Sequence, residues 1–288
     1  MLGEIMNRNY GFTYEITANC NYHCEYCGTF RIGEKISDIN VIDNVLYFLN
    51  QVYNNLDDTD TLTIQIMGGE PTVHPLFEYF MTELCKLRNI KLILFTNFSA
   101  DLELYDRLCN IFPINTDFSI SYHQNHITLE EYLYKLDCLI NKYTNVIFHP
   151  QIMLGENRKT VEEIMNIFSK YQSFKNFEMS IFPILSTNFK PLKEPEKVTK
   201  DKIINNIEVN YDRNTQNQYY NKFVNCYATN AFINPFGILS NCYANRDKLT
   251  IDLNKNKEDC LNRYLKFSTL KIKCNNKFCY YGAQWKNF

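Results

Sequence analysis

The chain has 288 residues, 45% of them hydrophobic and 15% aromatic, which is enough apolar material for one large domain or a domain with an appendage and excludes a disorder-like composition. Its formal net charge is only -2, but residues 1–185 carry 13 basic and 23 acidic side chains while residues 186–288 carry 17 and 9, so a basic last third accompanies an acidic body. Residues 1–10 have no signal-peptide apolar core and no run approaches the ~18 apolar residues of a spanning helix, so a cytoplasmic protein without a membrane partner is expected. Eleven cysteines in such a reducing compartment argue for metal ligation where they cluster rather than for a disulfide framework. The basic residues are dispersed and no nucleic-acid-binding motif occurs, which predicts no nucleic-acid partner.

Strand-like apolar runs lie at residues 11–17, 61–67, 91–96, 116–122, 145–154 and 177–185. Helical patterns separate them. In the first, Ile42, Val45, Leu46, Leu49, Val52 and Tyr53 recur every three or four residues behind an Asp38 cap. Further helices are predicted over 75–88 and 101–110, and the pairs Thr128 with Glu131 and Thr160 with Glu163 match capping boxes at the start of two more. Cys85, Cys109 and Cys138 sit singly in these patterns and are expected in the core. Six strands alternating with five helices predict right-handed crossovers and a parallel sheet, an α/β fold of the partial (β/α)6 TIM-like barrel type. In such a fold the ligand site lies at the carboxyl ends of the strands.

Residues 186–222 read as a connector with one short helix over 200–209. Beyond it, residues 231–240 read as a hairpin with a Pro/Gly turn, and residues 257–267 as a helix. The expected domains are therefore a barrel (1–185), the connector (186–222) and a small cysteine-rich hairpin-plus-helix extension (223–288).

The first strand runs into Cys20-Asn21-Tyr22-His23-Cys24-Glu25-Tyr26-Cys27. Three thiolates from one loop leave a metal centre one ligand short, whereas structural zinc sites close with four. A cuboidal [4Fe-4S] cluster held by three cysteines keeps one iron open for a small molecule. Cysteines without a metal, or a partial zinc site, are the alternatives. The second strand ends in Met67-Gly68-Gly69-Glu70-Pro71-Thr72, where two glycines permit close backbone approach and a carboxylate can accept from an ammonium group.

In these two motifs, with Tyr26 as the aromatic before the last cysteine, the chain resembles the radical SAM superfamily. The resemblance implies that Cys20, Cys24 and Cys27 hold a [4Fe-4S] cluster whose open iron binds S-adenosylmethionine. Tyr26 would lie near the adenine, and Gly68, Gly69, Glu70 and Pro71 near the methionyl amino group. Asn97 and Ser121 become candidates for the ribose or carboxylate, and Met153 for the adenine pocket. His123 is the candidate acid/base group. Cys226-x10-Gly237-x4-Cys242, followed by Cys274 and Cys279, resembles the SPASM/twitch extensions of that superfamily and implies an auxiliary [4Fe-4S] cluster on those four cysteines. Cys260 is the reserve ligand, and a zinc ion on the same four thiolates is the alternative.

The implied activity is reductive cleavage of S-adenosylmethionine to a 5'-deoxyadenosyl radical that abstracts a hydrogen atom. A one-electron reductant such as flavodoxin or ferredoxin would feed it. The expected substrate is a peptide or protein, modified with net oxidation or crosslinking. A dehydrogenase of a small-molecule alcohol is the alternative, and a non-catalytic iron-sulfur scaffold or electron carrier the second.

Overall fold

The computed structural model describes residues 9–24, 27, 36–154, 161–183, 207–209, 225–227, 230–240, 250–268 and 271–273. Its first part alternates β1 (Asn9–Thr17), α1 (Ile39–Asn54), β2 (Thr61–Gly68), α2 (Phe77–Leu84), β3 (Lys91–Thr96), α3 (Leu102–Ile111), β4 (Thr116–Tyr122), α4 (Leu129–Ile140), β5 (Val146–Leu154), α5 (Val161–Phe168) and β6 (Met179–Pro183). Strands β1 to β6 pair in sequence order and all in parallel. Sequential parallel pairing with right-handed crossovers keeps the helices on one face, as in a barrel. The mixed α/β fold with a parallel core is therefore as expected.

Alternate strand residues sort onto the two faces. Phe12, Tyr14 and Ile16 of β1, Leu62, Ile64 and Ile66 of β2, Leu92 and Leu94 of β3, and Phe118 and Ile120 of β4 are buried in one core cluster with the helix stripes. Each such side chain contributes about 1.5–3 kcal/mol on burial, so this face drives folding. Helix starts follow the capping chemistry: Asp38 accepts from the backbone N–H of Val41 at 3.0 Å, and Thr128 from that of Glu131 at 3.1 Å.

The opposite face mixes polar side chains with Met67, Ile93, Phe95 and Met153. It carries Thr13 bonded to Gln65, and a chain in which Ser119 donates to Asp117, Asp117 faces His149 Nδ1 at 3.4 Å, and His149 Nε2 lies 2.7 Å from Ser180 Oγ. No helix among the described residues is long and apolar enough to cross a membrane.

Three features depart from the sequence expectations. Residues 207–209 form not helix but a short strand, β7 (Ile207–Val209), parallel to β6. Cys138 is exposed, unlike the buried Cys85 and Cys109, because the buried stripe of α4 runs through Tyr132, Lys135, Leu136, Leu139 and Ile140 and bypasses it. After β8 (Asn225–Tyr227), the predicted hairpin forms as β9 (Asn230–Ile233) and β10 (Ile238–Ser240), but it also joins the main sheet, with β9 parallel to β1 on its free edge. Its turn needs Gly237, whose φ is 70°, and Asn234 Oδ1 accepts from the backbone N–H groups of Phe236 and Ile238. Strand β11 (Thr250–Asp252) completes the edge, followed by α6 (Lys257–Ser268) and β12 (Lys271–Lys273), which pairs with β8 outside the main sheet.

Candidate functional site

The cysteine loop leaves β1 directly above the end of β2. Gly69 N–H donates to Thr17 O and Glu70 N–H to Asn19 O, both at 2.8 Å. A Cβ at Gly68 would fall 2.2 Å from Thr17 O, and one at Gly69 2.2 Å from Asn19 O. Both distances are far inside van der Waals contact, so the glycine pair is what lets the loop lie on the strand end. Both glycines thus also admit a close approach of the chain's own backbone.

Glu70 is completely buried. Its Oε1 accepts from Thr72 N–H at 3.0 Å, Thr72 Oγ1 at 2.6 Å and Thr96 Oγ1 at 2.7 Å, and its Oε2 accepts from Asn97 N–H at 2.6 Å. Burial raises the Glu70 carboxyl pKa, and these donors oppose the shift. The carboxylate is committed to the protein, joining the end of β2 to the end of β3. Pro71, also buried, starts a single 3-10 turn over Pro71–Val73. Beyond it His74 Nε2 donates to Ser37 O at 2.8 Å while its Nδ1 accepts from Leu76 N–H at 3.0 Å, which fixes the Nε2–H tautomer, and desolvation lowers its pKa.

Asn97 is held in place by an unusual backbone. The next residue, Phe98, has φ 61°, a left-handed conformation that costs a bulky residue energy. The offset is visible: its ring is fully buried, with centroids 4.7 Å from Tyr105 and 5.4 Å from Tyr132, and Lys135 Nζ donates to the carbonyls of Phe98 and Ala100. Tyr105 hydroxyl accepts from Ala100 N–H at 3.1 Å and sits 3.2 Å from Thr96 Oγ1. Asn97 Nδ2 then reaches Asn21 Oδ1 at 2.9 Å and Cys20 Sγ at 3.8 Å, while Asn97 Oδ1 accepts from Ser99 N–H at 3.0 Å.

The loop after β4 meets the cysteines from the other side. His123 Nδ1 lies 3.8 Å from Cys24 Sγ. Tyr22 stacks on His126 at 4.2 Å between centroids and packs edge-on against His123 at 5.8 Å. The sequence had not singled out Tyr22, Asn21, Thr72, Thr96, Tyr105, Phe98 or His126. The signal for most of them was position, at or just beyond strand ends or within the cysteine loop, while Tyr105 belongs to the buried stripe of α3.

Cys20, Cys24 and Cys27 are half-buried thiols outside any disulfide among the described residues. Burial raises the Cys20 pKa, the Tyr22 backbone N–H opposes this, and Glu70 and Cys27 add to the rise. Among the described residues no three His, Cys, Asp or Glu side chains are gathered tightly enough for a single metal ion. Three thiolates from one loop match the donor count of a cluster with one open iron, whereas a structural zinc site takes four ligands.

Ser121 and Met153 are half-buried on the mixed face of the sheet. Cys226 lies in β8, where its backbone pairs with Ile272. Cys260 is buried, its sulfur 3.4 to 3.7 Å from the carbonyls of Asp252, Lys255 and Asn256, so it serves as a helix-packing thiol. Tyr26, Cys242, Cys274 and Cys279 lie outside the described residues.

No protein-family model matches the chain. A Methanocaldococcus jannaschii protein named "Putative glycyl-radical enzyme activating enzyme" is 28% identical over 186 residues, which span 64% of this chain and 60% of that protein. Streptococcus suis SuiB bound to S-adenosylmethionine aligns over 97% of this chain and 68% of its own, with a TM-score of 0.61 and 13% identity. The same protein with its precursor peptide SuiA gives a TM-score of 0.59, 13% identity, and coverage of 90% and 65%. The protein anSMEcpe, bound to AdoMet and a Cp18Cys peptide, aligns over 91% of this chain and 82% of its own, with a TM-score of 0.55 and 16% identity. At these identities the solved structures establish the fold, that of proteins binding S-adenosylmethionine, and the relative's name supports the superfamily that the cysteine and GGE motifs resemble.

Proposed function

We propose that this chain is a radical SAM enzyme acting on a peptide or protein. The observation that carries the reading is the interlock at the ends of β1 and β2, where the cysteine loop rests on the GGE segment through two backbone hydrogen bonds. Both motifs thereby meet at the carboxyl edge of a parallel sheet, where ligands of such folds bind. Cys20, Cys24 and Cys27 would hold a [4Fe-4S] cluster, which when bound supplies one electron to S-adenosylmethionine and opens radical chemistry at an unactivated C–H bond. The chain's own residues orient and shield. Glu70 pins two strand ends, Asn97 braces the loop through Asn21, and Tyr22 with His126 closes its far side. Gly68, Gly69, Glu70, Pro71, Asn97, Ser121 and Met153, with Tyr26, are the proposed cofactor-binding residues, Glu70 and Asn97 through the strand ends they hold.

The peptide or protein substrate draws on two likenesses: SuiB and anSMEcpe share this fold with peptides bound, and the curated relative is named for activating a protein. A sheet face that mixes polar and apolar side chains suits a substrate rich in amide groups. For the auxiliary cluster, the proposed ligands remain Cys226, Cys242, Cys274 and Cys279. The β8–β12 ladder supports this grouping, because Cys226 stands opposite Ile272, two residues before Cys274 in sequence.

The test is anaerobic incubation with S-adenosylmethionine and dithionite. Wild type releases 5'-deoxyadenosine and Cys24→Ala does not. A reconstituted wild type that releases none, or a Cys24→Ala chain that matches it, refutes the reading. Iron and sulfide counting in Cys226→Ala checks the second cluster, with about four irons lost per chain expected.

A further inference from the structure

We infer that His123 and Asn97 donate hydrogen bonds to the sulfurs of Cys24 and Cys20 and so raise the reduction potential of the cluster those thiolates hold. The inference rests on the cluster reading above and assigns two residues a tuning role at it.

The geometry is symmetrical in kind. His123 Nδ1 and Asn97 Nδ2 each lie 3.8 Å from a different cysteine sulfur, within the longer reach of N–H···S bonds. The donor roles are settled by chemistry. A metal-bound thiolate has no proton and can only accept. Asn97 Oδ1 is already taken by Ser99 N–H, so its amide NH2 is the group that faces Cys20. Facing a thiolate, His123 must carry its proton on Nδ1.

Both donors are held by the protein rather than by the sulfurs they face. Asn97 is fixed through its backbone N–H on Glu70 and its side chain on Asn21. The loop carrying His123 is closed by its own carbonyl, which accepts from His126 N–H at 2.9 Å and Ile127 N–H at 3.1 Å, and its ring rests against Tyr22. Preorganised N–H dipoles aimed at the sulfurs lower the energy of the added electron, which shifts the couple towards reduction. His123 is thus a positioning and tuning residue. Its proton need not move for this role.

The experiment compares His123→Phe, which keeps a ring but no donor, with His123→Asn, whose amide Nδ2 takes up the place of the imidazole Nδ1. Each is anaerobically reconstituted as the full chain, and the cluster is titrated without S-adenosylmethionine by EPR. At a fixed potential His123→Phe should hold about tenfold less reduced cluster than wild type, a midpoint about 59 mV more negative for a one-electron couple, while His123→Asn stays near wild type. A loaded His123→Phe with the wild-type midpoint overturns the inference, and so does a His123→Asn that falls as far as His123→Phe. If His123→Phe takes up no iron, wild type and His123→Asn decide. With 15N-histidine, pulsed EPR of the reduced wild-type cluster should show a histidine nitrogen coupling that His123→Asn loses, and an unchanged coupling overturns the inference. A wild-type chain that binds no cluster instead sinks the underlying reading, and is recognised by its iron content.

Discussion

Replacing Glu70 separates its two conceivable duties, holding the protein together and holding a ligand's ammonium group. In Glu70→Ala the backbone N–H groups of Thr72 and Asn97 lose the acceptors that now stand at 3.0 and 2.6 Å, the first in a half-buried and the second in a buried setting. An unpaired buried donor costs roughly 1–3 kcal/mol, which the Asn97 N–H bears in full and the half-buried Thr72 N–H in part, a sizeable share of the ~5–15 kcal/mol that keeps a domain folded. The hydroxyls add less, since Thr96 can turn to Tyr105. Glu70→Gln is milder. Its amide oxygen can keep the three bonds at Oε1, but its NH2 then opposes Asn97 N–H, a loss of about 1–3 kcal/mol, reduced because a neutral amide escapes the desolvation that disfavours the ionised carboxylate. The assay is urea unfolding of the iron-free chain by circular dichroism, with no S-adenosylmethionine present. The midpoint should fall in the order wild type, Gln, Ala. Wild-type midpoints in both variants, with only cofactor affinity lost, would refute the structural account and return Glu70 to the ligand.

Gly69→Ala should cost roughly 1–3 kcal/mol and impair iron uptake, because its Cβ must displace Asn19 O from 2.2 Å; wild-type urea midpoint and iron content together would contradict this. Burial disfavours the His74 cation more than its bond to Ser37 O favours it, so its folded pKa lies below the unfolded value near ~6.5 and protons bind the unfolded chain more tightly. The stability it contributes is complete above that unfolded value and is lost as pH falls through the folded one. His74→Gln should therefore flatten the loss of unfolding free energy between about pH 7 and 5, whatever its effect on the level, and an unchanged slope argues against a neutral His74. Burial pushes the Cys85 thiol up to about 12 and also raises Cys109 and Cys260. Iodoacetamide on the native iron-free chain should label Cys138 while sparing those three until urea is added, which peptide mass spectrometry reads directly.

What was legible in the sequence was local. The six strands and five helices follow from alternation and three-to-four spacing, and Asp38 and Thr128 cap as their neighbours imply. A three-residue strand such as β7 has no period to detect, and pairing along a neighbour, not its own composition, makes it a strand. Cys138 was misplaced because apolar character stood in for position on the helix. At the site, the cysteine and GGE motifs are readable because their spacing is contiguous. The commitments of Glu70 are not, since its partners Thr96 and Asn97 arrive a helix and a strand later. The same holds for Asn97 against Cys20 and His123 against Cys24, pairs whose segments follow strands that are not neighbours in the sheet, β1 with β3 and β1 with β4.

The seat of β9 beside β1 also orders events in time. Gly11 is paired with Asn230 and Tyr14 with Ile233, so one edge of the strand that leads into the cysteine loop stays open until most of the chain has been synthesised. During translation the loop therefore hangs from a half-paired strand, held from the β2 side alone. Closing that edge brings the hairpin turn down onto the end of β1, where the Ser37 hydroxyl bridges Ile16 O and Pro235 O, each at 2.9 Å. The anchorage of the strand that leads into the loop is thus completed by the chain's last third.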